Sequence, residues 1–228
     1  MAKHSKRHRS NIDRIEKQRR FPLEQAIDLI KNSYKPVKFD ETVEIAIQLG
    51  VDVKKSDQMV RGAVSLPRGI GKELRVVVFC KEDRVQEALD AGAVEAGAQE
   101  LAKKVQDGYM DFDVAIATPD VMSVVGKLGK ILGPQGKMPS PKSGTVTQDI
   151  KSAVKEYKAG KIEFRADAGG NVHAPMGKRS FEKEALVENI QTFISYIKSI
   201  KPPAARGQYI MNIAVSTSMG PGIPLELV

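Results

Sequence analysis

The stretch Leu74–Cys80, LRVVVFC, constrains the fold more than any other part of the chain. From Val76 onward it is apolar without alternation, as expected of a strand covered on both faces. DVAIAT, from Asp113, is a second run of the same kind. Between the two, Arg84–Ala91 reads as a helix stopped by Gly92 and Gln99–Gln106 as another stopped by Gly108. Pro119 and Asp120 open a further helix, and Ile150–Tyr157 reads as one more. This succession predicts a small parallel or mixed sheet with helices on its faces.

The sequence on either side is written differently. Pro22 suits a helix start, and Leu23, Ala26, Ile27 and Ile30 recur at helical spacing. Val43, Ile45, Ile47 and Leu49 alternate with polar or small residues, as do Val60, Gly62, Val64 and Leu66, the period of half-buried strands. Later, Ile162–Ala166 (IEFRA) reads as a strand, Gly169-Gly170-Asn171 as a turn, and Leu186, Ile190, Phe193, Ile194 and Ile197 as one face of a long helix. A last strand places Tyr209, Met211, Ile213 and Val215 on one side. The style changes at Pro67–Lys72 and at Lys158–Lys161, and a length of 228 residues accommodates two domains.

The formal charge of +8 is concentrated in two places. Met1–Arg20 holds eight Lys/Arg against Asp13 and Glu16. Val121–Gln148 contains no acid and four lysines, Lys127, Lys130, Lys137 and Lys142. Within it, Gly126, Gly129, Gly133 and Gly136 would turn bare backbone one way while the segment stays helical, until Pro134 stops it. Composition alone leaves two readings of this stretch: a surface loop whose glycines permit turns, or a segment that meets a phosphate backbone. The basic arm lacks the apolar face a membrane requires, and no run approaches the ~18 apolar residues of a spanning helix. Cys80 is the only cysteine, so no internal disulfide forms and a reducing compartment fits.

Catalytic constellations are missing from the sequence. A Walker A loop fails because Ile131 stands five residues before Gly136 and Met138 follows Lys137. Gly69-Ile70-Gly71 precedes its strand and has Leu74 where a third glycine belongs, so the dinucleotide fingerprint fails too. Three histidines, His4, His8 and His173, give a metal centre or acid–base system almost nothing to use. The S-x-x-K matches at Ser152 and Ser195 lack the companion motifs of acyl enzymes. No catalytic residue, cofactor or metal is expected. What remains is binding to structured, phosphate-rich surfaces.

Seven stretches together resemble one family. They are KFDETVE (Lys38–Glu44), SDQMVRGAVSLPRGIGK (Ser56–Lys72), MDFDVAIATPDVM (Met110–Met122), GKLGKILGPQGKMPSPKSGTV (Gly126–Val146), GKIEFRAD (Gly160–Asp167), VHAPMGKRSF (Val172–Phe181) and STSMG (Ser216–Gly220). In order and spacing the chain resembles the bacterial large-subunit ribosomal protein family numbered one in that subunit, which forms the mobile stalk beside the tRNA exit site. The resemblance implies a combined α/β and α+β fold: a discontinuous α+β domain from both chain ends, residues 1–67 and 160–228, with a Rossmann-like α/β domain, 68–159, inserted.

It also implies that the first domain holds a folded junction of large-subunit ribosomal RNA. Carried over by motif, Lys38, Phe39 and Thr42 would lie beside Ser216, Thr217, Ser218, Met219 and Gly220, with Asp167 and Lys178 nearby. Structured RNA is read through shape, 2′-hydroxyls and phosphates, which suits short hydroxyl side chains and a glycine. Phe39 and Met219 would pack against ribose or base, although by residue type alone both read as core. Members usually carry Thr at Ser218, where Ser keeps the hydroxyl and loses a methyl. Lys127, Lys130 and Lys137 would be secondary contacts to ribosomal RNA or outgoing tRNA. The expected partners are therefore the ribosomal RNA stalk junction, exit-site tRNA and the protein's own operon messenger, which it would repress. A cytoplasmic, ribosome-bound protein, monomeric when free and without membrane contact, is expected. The competing classes are a phosphate-ligand enzyme on the α/β segment and a general basic nucleic-acid binder.

Overall fold

The computed structural model describes residues 5–15, 19–35, 37–55, 57–205 and 207–226. Lys3, His4, Lys17 and the rest of 1–4 and 16–18 in the basic arm, and Ser56 of the second quoted motif, lie outside the described residues. The strands are β1 (Thr42–Leu49), β2 (Arg61–Ser65), β3 (Val76–Phe79), β4 (Glu95–Gly97), β5 (Val114–Ala117), β6 (Lys161–Arg165), β7 (Asn171–Lys178), β8 (Ile210–Thr217) and β9 (Ile223–Pro224). The α-helices are α1 (Lys6–Ile12), α2 (Leu23–Asp28), α3 (Val85–Asp90), α4 (Gln99–Gln106), α5 (Met122–Val125), α6 (Gly129–Leu132), α7 (Ile150–Ala159) and α8 (Lys183–Ser199). The chain packs as two compact units, Met1–Gly71 with Ile162–Val228, and Lys72–Lys161.

In the second unit β4, β3 and β5 form a parallel sheet with β3 in the centre. Its uninterrupted apolar sequence is explained by the pleat. Val77 and Phe79 face one cluster with Leu101 and Val105 of α4 and with Leu128 and Leu132, while Val76, Val78 and Cys80 face another with Ile150, Val154 and Tyr157 of α7. Both faces are covered, so every position on β3 must be apolar. Burial pushes the Cys80 thiol pKa up, consistent with a core role. The Gly/Lys stretch is a staircase of short α and 3₁₀ turns from Pro119 to Leu132. Gly126 and Gly129 have open space where a side chain would stand.

In the first unit β1 runs antiparallel between β7 and β8, and β9 completes a sheet ordered β7-β1-β8-β9. A separate pair joins β2 and β6. Val43, Ile45, Ile47 and Leu49 point to the core, where Leu186, Ile190 and Phe193 of α8 and Ile27 and Ile30 are fully buried. Phe164 meets the Phe193 ring edge-on at 5.4 Å between centroids. Asn189, inside the apolar face of α8, is fully buried yet satisfied: its amide donates to the Gly69 and Met176 carbonyls at 2.9 and 2.8 Å and its oxygen accepts from the Arg68 N–H at 3.1 Å. It ties the Arg68–Gly69 turn to β7. Asn189→Ala strands all three backbone groups and is expected to destabilise the protein by about 2–4 kcal/mol in urea unfolding; a loss under about 1 kcal/mol would mean that the turn finds other partners.

One expectation of the sequence does not hold in the structure. Met211 does not share the buried side with Tyr209, Ile213 and Val215; it is 49% exposed. The register slips between Gln48 and Leu49, leaving Met211 as the extra residue of a β-bulge, and the alternation restarts beyond it. The residues between the Gly169–Asn171 turn and α8 form a strand, β7, that periodicity alone did not announce.

Candidate nucleic-acid interface

One end of the first unit's sheet is built from three chain segments. The Thr42 N–H donates to the Ser218 hydroxyl at 3.0 Å, and the Ser218 N–H donates to the Thr42 carbonyl at 3.0 Å, so the start of β1 and the turn after β8 are clasped together. Lys178, at the end of β7 and in register with Thr42, donates its ammonium to the Thr42 hydroxyl at 3.0 Å. Ahead of β1, the Asp40 carboxylate accepts the Ser180 N–H at 3.1 Å and hydroxyl at 2.7 Å, which fixes the bend carrying Lys38 and Phe39. Phe39 is 56% exposed and Met219 53% exposed, so neither is the core residue that its type alone suggests. Two large apolar side chains thus stand in water at one rim.

Behind the rim lies a buried ion pair. Glu41 is 1% exposed, and its carboxylate accepts from the Thr217 hydroxyl at 3.1 Å, the Met219 N–H at 3.1 Å and the Arg179 guanidinium at 3.2 Å. Arg179 also donates to the carbonyls of Lys31 and Tyr34 at 3.1 and 2.9 Å. Thr217 is itself buried, so its hydroxyl serves Glu41 and does not face solvent. Arg7 of α1 donates to the Met219 carbonyl at 2.8 Å and so brings the described part of the basic arm to the same turn. Glu41, Arg179 and Arg7 were not singled out from the sequence. An acid directly before a strand, in a chain whose other features favour anions, was the available signal for Glu41.

Thus Lys38, Phe39, Thr42, Lys178 and Ser216–Gly220 are brought to one end. Asp167 is not. It sits in the turn before Asn171, and Asn171 pairs with Gln48 whereas Lys178 pairs with Thr42, which puts Asp167 at the far end of β1, about 20 Å away at ~3.3 Å per residue. The Asp167 carboxylate accepts the N–H groups of Asn171 and Gly169, both at 2.8 Å, and the Asn171 bond above all holds its pKa below the usual carboxylate range. In the second unit, Lys127 and Lys130 are exposed. Lys137 is spoken for: its ammonium donates to the Met110 carbonyl at 3.1 Å and lies 4.9 Å from the centre of the Phe112 ring.

The same unit has a cavity of about 900 Å³ beside the C-terminal ends of β3 and β4, where α/β sheets bind small ligands. Glu82, Asp83 and Glu100 line it together with Lys81 and Lys103, so it offers a phosphate no net attraction. Among the described residues no cluster of three His, Cys, Asp or Glu is placed to hold a metal, and no helix is long and apolar enough to cross a membrane.

The sequence model of the Ribosomal protein L1p/L10e family matches residues 29–221. The chain belongs to this family. The large ribosomal subunit protein uL1 of Syntrophobacter fumaroxidans is 51% identical over 226 residues, covering 99% of this chain and 96% of that protein. L1p/L10e members are ribosomal proteins, not enzymes, which disposes of the phosphate-ligand enzyme. The family match also begins before the Lys38–Phe39 bend and ends beyond Gly220, so the whole clasped rim falls within it.

Proposed function

We propose that this chain is a structural constituent of the large ribosomal subunit whose first unit grips a folded junction of large-subunit ribosomal RNA. The observation that carries the proposal is the rim itself: Phe39 and Met219 held exposed on segments clasped by the Thr42–Ser218 pair over the buried Glu41–Arg179 bridge. The two apolar side chains pack on ribose or base. Lys38 and the nearby backbone meet phosphates, and Gly220 lets the turn settle close over Thr217 and Tyr34. An RNA that also reaches Asp167 runs along β1, over Thr42, Glu44, Ala46 and Gln48, the positions facing away from the core. We read the two units as the RNA-binding domain and an inserted domain, between which the chain crosses twice. Lys127 and Lys130 of the inserted domain then touch ribosomal RNA or departing tRNA, the protein forms the exit-site stalk, and it aids release of deacylated tRNA. Free monomer in the cytoplasm represses its own messenger where that messenger carries a similar junction bound less tightly than the ribosomal one.

The test is a salt titration of binding to the stalk-junction RNA and to an unrelated duplex of equal length. Each phosphate neutralised contributes roughly −0.7 to −0.9 to the slope of log affinity against log salt. The junction is expected to stay bound at salt that releases the duplex, with Met219→Ala reducing that preference about tenfold. Release of both RNAs together would mean that the basic arm dominates and the rim reads nothing.

A further inference from the structure

Glu41 is the only Asp, Glu, Lys or Arg that is buried among the described residues. A carboxylate taken out of water is unfavourable unless its oxygens are all used, and an apolar side chain would fill the same space without that penalty. What the carboxylate does here, and a leucine cannot, is accept. One oxygen takes the Thr217 hydroxyl and the Met219 N–H, the two groups that flank Ser218. The other takes Arg179, whose own N–H donates back to the Glu41 carbonyl at 2.8 Å. The turn that presents Ser218 and Met219 is therefore held from beneath, at both of its ends, by a group that solvent and RNA never reach.

We infer that Glu41 is a positioning residue for RNA recognition: it sets the backbone of the 217–219 turn before RNA arrives, and Arg179 orients Glu41. This rests on the proposal that the rim is the RNA contact. A pre-set turn loses less conformational freedom on binding than one that must be ordered by its ligand, so the benefit is seen in affinity.

The sign of the effect distinguishes positioning from charge. Glu41→Gln removes a negative charge near a polyanion, which by electrostatics alone would tighten RNA binding. Positioning demands the reverse. The carboxamide has one acceptor for two sets of donors; the Arg179 guanidinium takes it, and the amide N–H₂ then faces the Met219 N–H, donor against donor. With the full chain and the stalk-junction RNA, Glu41→Gln is expected to bind about tenfold more weakly. The salt slope should be unchanged, because Glu41 neutralises no phosphate. The Met219 amide should exchange its hydrogen faster in the free protein. Thr217→Val leaves the ion pair whole and removes only the hydroxyl, and a smaller loss in the same direction is expected, with little change in Tm.

Glu41→Gln binding as tightly as the native protein or more tightly, while Met219→Ala weakens binding in the same assay, overturns the inference. If Met219→Ala also binds normally, the rim is not the contact and both the proposed interface and this inference fall. Should Glu41→Gln not fold, Thr217→Val decides: weakened binding at native Tm supports positioning, and native affinity overturns it.

Discussion

Arg179→Met is expected to destabilise the protein by about 3–5 kcal/mol, the largest stability loss of any single substitution considered for this chain. The side chain of Arg179 is 15% exposed and that of Glu41 2%. Removing the guanidinium takes one donor from a carboxylate that water cannot reach, and it also orphans the carbonyls of Lys31 and Tyr34 at the end of the helical segment that begins with α2. The two donors that remain to Glu41, from Thr217 and Met219, soften the loss without abolishing it. The companion experiment is Glu41→Leu with Arg179→Met, which removes both charges and leaves an apolar pair of similar volume. Such replacements are often neutral for stability, so the double variant should recover to within about 2 kcal/mol of the native protein. Its RNA affinity should stay low, because nothing then holds the Thr217 hydroxyl and the Met219 N–H. Urea unfolding and RNA titration on the same three proteins separate the two effects. A single variant within about 1 kcal/mol of native would show that the pair is hydrated in solution and holds nothing together.

How much of this was legible in the sequence differs from element to element, for physical reasons. Helix α4 was found with the bounds that it has, Gln99–Gln106, because its apolar positions keep a helical period and Gly108, with φ 105°, ends the segment beyond it. Strand β3 was legible because burial on both faces leaves an unbroken apolar run. Strand β7 was not, since Pro175 and Gly177 interrupt VHAPMGK. It is an edge strand, ordered first in β7-β1-β8-β9, and an edge tolerates a proline that a central strand would not. Strand β4, at three residues, is too short to carry a period. The pairing of β1 with β8 joins residues 42–49 to residues 210–217, a long-range contact that no local pattern encodes. At the rim, residue type put Phe39 and Met219 in the core; only the tertiary structure shows them in water. Lys137 reads as one more free cation until the fold closes Met110 and Phe112 over it. Glu41 was missed because burial of a charged side chain depends on an arginine 138 positions away.

Gly220→Ala is expected to weaken binding of the stalk-junction RNA about a hundredfold, the largest effect on recognition that one methyl group could have here. The reason is contact and not backbone strain, because Gly220 does not adopt a left-handed conformation. A β-carbon at this position would stand 2.3 Å from the Thr217 hydroxyl oxygen and 3.2 and 3.3 Å from two carbons of the Tyr34 ring. Neither neighbour can yield. Tyr34 is 3% exposed, its hydroxyl reaches the Pro221 carbonyl, and burial pushes the pKa of its phenol up. The Thr217 hydroxyl is held by the Glu41 carboxylate, and the Gly220 N–H closes the turn on the Thr217 carbonyl at 3.0 Å. The turn itself must therefore move outward, carrying Ser218 away from the Thr42 clasp and Met219 away from its set position. Thr217→Ala in the same chain removes the oxygen that the methyl would strike, so the double variant should bind more tightly than Gly220→Ala alone, although the Tyr34 contact keeps it below native. Comparing the two affinities measures how much of the defect is the collision with Thr217. Native affinity in Gly220→Ala would mean that RNA re-forms the turn on binding, and the rim would then act by the chemistry of its side chains and not by a shape fixed in advance.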